Sequence, residues 1–276
     1  MSVTDLKAGV IWIYLRICET MTEQIENKHF VFFGRIHPER TAFDIKLPTP
    51  LKFEVKEADL NGEINVESSA SQLTIILTTP SKNDIYTMRN HVESVTRIIV
   101  DSFGYSTGRG YDVEIISVVQ PNNETIVFGV EVPALAEFRK ENECQAGEVI
   151  NAVSKSPQLA YVLFNLREAI RQPADTGFFC FRAVECMRQT FLPNDKTDDG
   201  EARKMSWENL NEKLQTQQSF TLPLQKFALP QRHGSPKYMS DDDRKDLLLR
   251  AYRLVDRYLI YLKDGPLSKE KFEKLT

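Results

Sequence analysis

Phe178-Phe179-Cys180-Phe181-Arg182-Ala183-Val184-Glu185-Cys186-Met187-Arg188 decides how the second half of this chain is read. At about 100° per residue, Phe179, Cys180, Ala183, Val184, Met187 and Phe191 fall on one side of a helix, and that side must be buried. Arg182, Glu185 and Gln189 project together elsewhere, bordered by Phe178, Phe181 and Arg188. The plain reading of this second face is an exposed Arg–Glu pair at i,i+3. The sharper one is the polar rim of a groove, because a purely solvated face rarely carries two flanking phenylalanines.

Helical spacing continues on both sides of this segment. Ser156 in a capping position with Pro157 at the first turn opens a helix to about Arg171, and Pro173 and Asp175 lead into the central one. The acidic loop from Asn194 to Gly200 precedes a helix containing Trp207, Leu210 and Leu214. A short helix near Leu222 to Leu229 is stopped by Pro230. Ser240 caps a last long helix to about Lys263, with Asp241, Asp242 and Asp243 in its first turn, where the dipole favours acids. Its buried stripe is Leu247, Leu248, Ala251, Leu254, Val255, Tyr258 and Leu262. Four or five helices with short connections make a bundle.

The first half has a different texture. Val10 to Ile17, His29 to Ile36, Lys52 to Lys56 and Leu73 to Thr79 read as strands, with turns at Pro48, Pro50, Asn61-Gly62 and Pro80. Tyr111 to Val119 and Thr125 to Val132 flank Pro121-Asn122-Asn123-Glu124, a hairpin signal, and Asp84 to Ser102 has the spacing of an amphipathic helix. The expected architecture is therefore an α+β domain over residues 1–145, mostly antiparallel sheet with one or more helices, followed by an all-α helical bundle over 146–276. The linker is expected within Phe138 to Ser156.

Composition narrows the class of protein. Of 276 residues, 41% are hydrophobic and 27% charged, enough to build a core. No apolar stretch approaches the ~20 residues of a membrane span, and Ala8 to Leu15, followed by Arg16, reads as a strand rather than a signal peptide. Cys18, Cys144, Cys180 and Cys186 form no C-x-x-C pair, so neither a disulfide framework nor a zinc site is expected, and a cytoplasmic location fits. His29, His37 and His91 lack acidic or cysteine partners at metal-ligand spacing, and no glycine-rich phosphate loop is present; no metal or cofactor is expected. Residues 151–276 hold 21 Lys and Arg against 17 Asp and Glu, leaving 14 against 22 of the chain's 35 and 39. Any anionic partner should meet the C-terminal half.

Gln231-Arg232-His233-Gly234-Ser235-Pro236 is the most distinctive short segment. Histidine exchanges its proton near neutrality and suits acid–base work, while an adjacent arginine can hold a phosphate. The alternative is structural, with His233 bonding a helix end and Arg232 answering a carboxylate such as Glu185. On the last helix Arg250, Arg253 and Arg257 share a face with Tyr261 beside them, a pattern that can contact phosphates and stack a base, or simply be a solvated face with local ion pairs.

Phe181 to Arg188, then Trp207, then Arg232-His233-Gly234, then Leu254-Val255-Asp256-Arg257-Tyr258-Leu259 give the C-terminal ~120 residues a resemblance to the HEPN superfamily of helical bundles. The whole chain is also similar to uncharacterised bacterial proteins of the MauJ type. The HEPN resemblance implies a protein that handles RNA, in many members a metal-independent endoribonuclease of a bacterial defence or toxin type, acting as a homodimer through the helical half. It implies His233 and Arg232 as catalytic, with Glu185 orienting them, and Arg182, Lys226, Arg250, Arg253, Arg257 and Tyr261 as nucleic-acid-binding. The catalytic HEPN pattern places an Arg and a polar residue ahead of the His, with four to six positions between. Here Lys226 stands with six residues between it and His233, followed by Phe227, and lysine lacks a planar bidentate grip. That departure favours a second class, a non-catalytic interaction or sensor protein whose bundle dimerises while the N-terminal domain binds a ligand or protein. An accessory protein of a metabolic operon is the third.

Overall fold

The computed structural model describes residues 27–40, 42–130, 132–193, 199–235 and 237–276. The strand expected at Val10 to Ile17 lies outside the described residues, as does Cys18. Two units divide between Val130 and Glu131.

Among the described residues the first unit is an antiparallel sheet with one α-helix. Its strands are β1 (Lys28–His37), β2 (Ile45–Lys46), β3 (Leu51–Val55), β4 (Leu60–Ser69), β5 (Gln72–Thr79), β6 (Asp112–Val119) and β7 (Thr125–Val127), with α1 (Ile85–Thr107) between β5 and β6. The order is β2-β4-β5-β1-β6-β7, with β3 also on β4. Strict alternation along β1 buries Phe30, Phe32 and Ile36 against Met88, Val92 and Val100 of α1, the period-two pattern of a half-buried sheet. Asp84 caps α1, its carboxylate accepting from the Tyr86 and Thr87 amides.

Asn61-Gly62 is not the turn that its composition suggested. It lies inside β4, paired with Glu54 and Phe53 of β3. Gly62 has φ +156°, and the carbonyl of Thr78 lies 2.2 Å from where a Cβ would sit. The glycine serves a close strand approach, which local turn statistics do not register.

Glu93 of α1 is buried with its carboxylate 2.9 Å from Arg89 and 3.0 Å from Arg97. Arg97 also reaches Asp112 and donates to the Val113 carbonyl at 2.7 Å, tying α1 to β6. Burial works against the charge on Arg97, but Glu93 and Asp112 outweigh it and raise its pKa above the ordinary value.

The second unit is helical: α2 (Pro133–Glu141), α3 (Ala146–Lys155), α4 (Pro157–Arg171), α5 (Thr176–Gln189), α6 (Gly200–Lys213), α7 (Gln218–Arg232) and α8 (Asp241–Asp264). The expected linker is thus mostly α2 and α3, and the boundary falls 15 residues earlier than the expected 145/146. Helices of nine and ten residues span fewer than three turns, too short a pattern to stand out from a linker. What joins α2 to the bundle is tertiary: Leu135 enters the second core, and Arg139 grips Asp256 of α8 with two bonds, at 3.0 and 2.9 Å.

Cys180, Ala183, Val184 and Met187 of α5 are fully buried, and burial pushes the Cys180 thiol up to about 12, an inert core filler. At Gly177 a Cβ would lie 2.6 Å from the Cβ of Phe227, so the Phe227 side chain of α7 packs directly on the α5 backbone. α7 runs past both Pro223 and Pro230 rather than stopping at Pro230. Burial of Phe220, Thr221, Leu224 and Ala228 holds the helix despite two missing amide donors. Ser156 does not cap α4 with its side chain. Its hydroxyl lies 2.9 Å from the buried Tyr258 hydroxyl, which is also 2.6 Å from Thr190 Oγ1. This pins the start of α4 and the end of α5 to α8. Ser240 does cap α8, with Asp243 completing a reciprocal capping box.

Two stability changes follow, both readable from urea unfolding. Glu93→Ala removes the buried carboxylate shared by Arg89 and Arg97, leaving Arg97 only Asp112 as a carboxylate partner among the described residues, and should lower stability by about 3 kcal/mol. Tyr258→Phe removes the shared hydroxyl and should cost roughly 1–2 kcal/mol.

Candidate functional site

α5 presents its polar edge as the 3.6-residue period requires. Arg182 and Gln189 are exposed and Glu185 is half-buried. Its flanks differ from expectation. Phe181 is buried and stacked on Trp207 at 6.1 Å, and Arg188 is buried, donating to Ser206 Oγ at 2.7 Å with its guanidinium 5.8 Å from the Trp207 ring. Both were expected beside the exposed stripe. α6 covers them instead, and only half-buried Phe178 remains from the pair that suggested a groove rim.

The end of α7 reaches this edge. Gln231 bonds the Asp175 carboxylate ahead of α5, and Arg232 Nη1 lies 3.6 Å from Glu185 Oε1. His233 closes the helix, its amide donating to the Leu229 and Pro230 carbonyls, and Gly234 takes the left-handed φ of +71° that turns the chain away. The His233 side chain is exposed. Arg232 and Glu185 therefore meet where the end of α7 reaches α5, with exposed Arg182 three residues before Glu185 and exposed His233 next to Arg232 in the chain. Glu185 contacts Arg232; no bond from Glu185 to His233 is present among the described residues. Lys226 is exposed on α7 seven residues before His233, hence on the same face.

The arginine row on α8 is divided. Arg250 ion-pairs with Asp246 at 2.7 Å and donates to the Phe220 carbonyl at 3.2 Å. Arg257 donates to the carbonyls of Leu214 at 3.1 Å, of Glu273 at 2.6 Å, and of Gln215, gathering the end of α6 and the C-terminal segment. Burial lowers its pKa. Tyr261 is half-buried, 4.9 Å from the Phe191 ring. Arg253 alone of the three arginines is exposed, 6.0 Å from the Phe138 ring.

Chemically, the edge offers an open imidazole beside an exposed guanidinium held by a weak partner. An exposed ion pair is worth about 0–1 kcal/mol, so an incoming phosphate can displace Glu185 from Arg232 at small cost. Among the described residues no group of three or more His, Cys, Asp or Glu is placed to hold a metal ion, and no helix is long and apolar enough to cross a membrane. Sequence reasoning passed over the outward face of α4, where Tyr161 and Phe164 are exposed. Its signal was two aromatics three residues apart on the side away from Leu159, Val162 and Leu166.

Arg257 and Arg253 should separate cleanly in thermal melts. Arg257→Met should cost on the order of 2 kcal/mol through lost charge-assisted bonds to backbone, whereas Arg253→Ala should stay within about 0.5 kcal/mol.

No curated protein and no solved structure matches the chain. Residues 30–128 match the N-terminal domain, and residues 146–263 the C-terminal domain, of a family described as a domain of unknown function, DUF8168. The two matches fall one within each structural unit, β1 to β7 in the first and α3 to α8 in the second. With both domains present in order over most of its length, the chain belongs to the DUF8168 family.

Proposed function

We propose that the helical unit handles RNA at the edge where the end of α7 meets α5, with Arg232 and His233 as the reacting pair. What supports this reading is the 3.6 Å approach of Arg232 to Glu185, with exposed Arg182 one turn before Glu185 on α5 and exposed His233 following Arg232. Attack of a ribose 2′-hydroxyl on the adjacent phosphorus needs a group to take its proton and a donor to the charged phosphate. A new P–O bond forms as the P–O5′ bond breaks, and the leaving oxygen takes up a proton. His233 fits the proton-transfer role and Arg232 the charge-stabilising one. Lys226 and Arg182 guide the strand, and Glu185 holds Arg232 until phosphate arrives.

A second reading is a non-catalytic RNA-binding or protein-interaction module. Lys226-Phe227 stands where an arginine and a polar residue would be, which favours it. Exposed Leu222 and Leu229 on α7, in one row with Lys226 and His233, offer such a module a face for pairing with a second copy.

The test is incubation of the purified chain with mixed single-stranded RNAs in chelator, beside His233→Ala. Cleavage by the parent that falls at least ~100-fold in the variant supports the first reading. Binding without cleavage selects the second, and neither binding nor cleavage removes RNA from consideration.

A further inference from the structure

We infer that the outward face of α4 is a stacking platform for a single-stranded nucleic acid. Pro157, Ala160, Tyr161, Phe164, Arg167 and Arg171 form its exposed side. Tyr161 is 65% and Phe164 47% exposed, a large apolar expense of surface for a helix whose opposite side is already buried. The arginines are arranged, not merely present. The Arg167 guanidinium lies 4.9 Å from the centre of the Phe164 ring and 2.9 Å from Glu168, and Arg171 lies 3.7 Å from the same carboxylate. Glu168 is the sole acid between residues 157 and 171; it lies on the same helical stripe as Tyr161 and Phe164, where it is shielded from solvent. Burial opposes its ionisation, but the amide of Gln172 and the guanidinium groups of Arg167 and Arg171 outweigh that and hold its pKa below the ordinary value. One shielded carboxylate thus steadies two exposed cations, and the face carries two guanidinium groups against a single acid.

The charge and shape of this face select the occupant. Bases stack on tyrosine, on phenylalanine and on guanidinium planes, and phosphates pair with arginine. From Tyr161 to Arg171 the helix rises about 15 Å at 1.5 Å per residue, which matches about four steps of a stacked strand at 3.4 Å each. A duplex hides its base faces and cannot use the aromatic pair. The inference stands apart from the chemistry at His233, although the two surfaces adjoin: Asn165 donates to the Tyr161 carbonyl at 2.7 Å and reaches Cys186, next to Glu185, at 3.8 Å.

Anisotropy of labelled 12-nucleotide oligo(U), oligo(A) and a hairpin duplex, with the full chain, tests the platform. Tyr161→Ala and Phe164→Ala should each weaken single-strand binding at least ~5-fold with melting temperature unchanged, and the hairpin should bind less tightly than either strand. Arg167→Gln with Arg171→Gln should flatten the slope of log affinity against log salt by about 1.4. Full affinity in the aromatic variants, or no binding by the parent, overturns the proposal. So does a change of oligomeric state by light scattering in place of lost affinity, since the face then serves a second copy. His233→Ala is measured alongside. Lost cleavage with intact binding leaves the platform standing, and aromatic variants that lose binding while His233→Ala cleaves like the parent sink the reading at His233 alone.

Discussion

The bundle depends on the burial of one helix on almost every side. α5 meets α4 through Asn165 and Cys186, α6 through the Phe181–Trp207 stack, α7 through the Gly177–Phe227 contact, and α8 in the core around Val184. Each side chain lost from solvent there contributes about 1.5–3 kcal/mol, so the neighbours arrange themselves around this stripe. Only the narrow edge carrying Arg182, Glu185 and Gln189 is left outside. The candidate site is what remains of α5 after its packing is complete.

Competition for arginine explains the division of the basic residues. A guanidinium near a helix end finds backbone carbonyls that the helix cannot satisfy by itself, and such bonds are strong when partly shielded from water. Arg257 is committed in this way to the carbonyls after α6. Arg244 does the same for the end of α4, donating to the Ile170 carbonyl at 2.9 Å. Arg182 and Arg253 lie at mid-helix positions facing water, where no carbonyl is open, and stay exposed. Arg232 is held by a single carboxylate and Arg167 by a carboxylate and a ring, both arrangements that leave a face of the guanidinium to solvent.

Long periodic segments could be read directly. α1, α4, α5, α8 and strands β1, β3, β5 and β6 stand close to where periodicity put them, because each has one face that must leave water. α2 and α3 were missed because nine and ten residues give little more than two turns of pattern. Pro230 suggested a stop that packing overrode, and Asn61-Gly62 a turn that strand pairing overrode. At the candidate site, the nearness of Arg232 to Glu185 could be guessed from charge. The burial of Arg188 could not, since spacing puts it only at the border of the buried stripe and it is α6, distant in the chain, that covers it.

The amino-acid order alone determined two successive textures, strand-rich and then helical, along with the stripes that face the cores and the singular Arg-His-Gly turn. These are local properties, set by side chains three, four or two residues apart. Tertiary structure decided which polar groups remain available. Only folding brings Arg232 to α5, turns Arg257 inward and leaves Tyr161 and Phe164 uncovered, because each outcome depends on partners distant in the chain competing for the same buried surface.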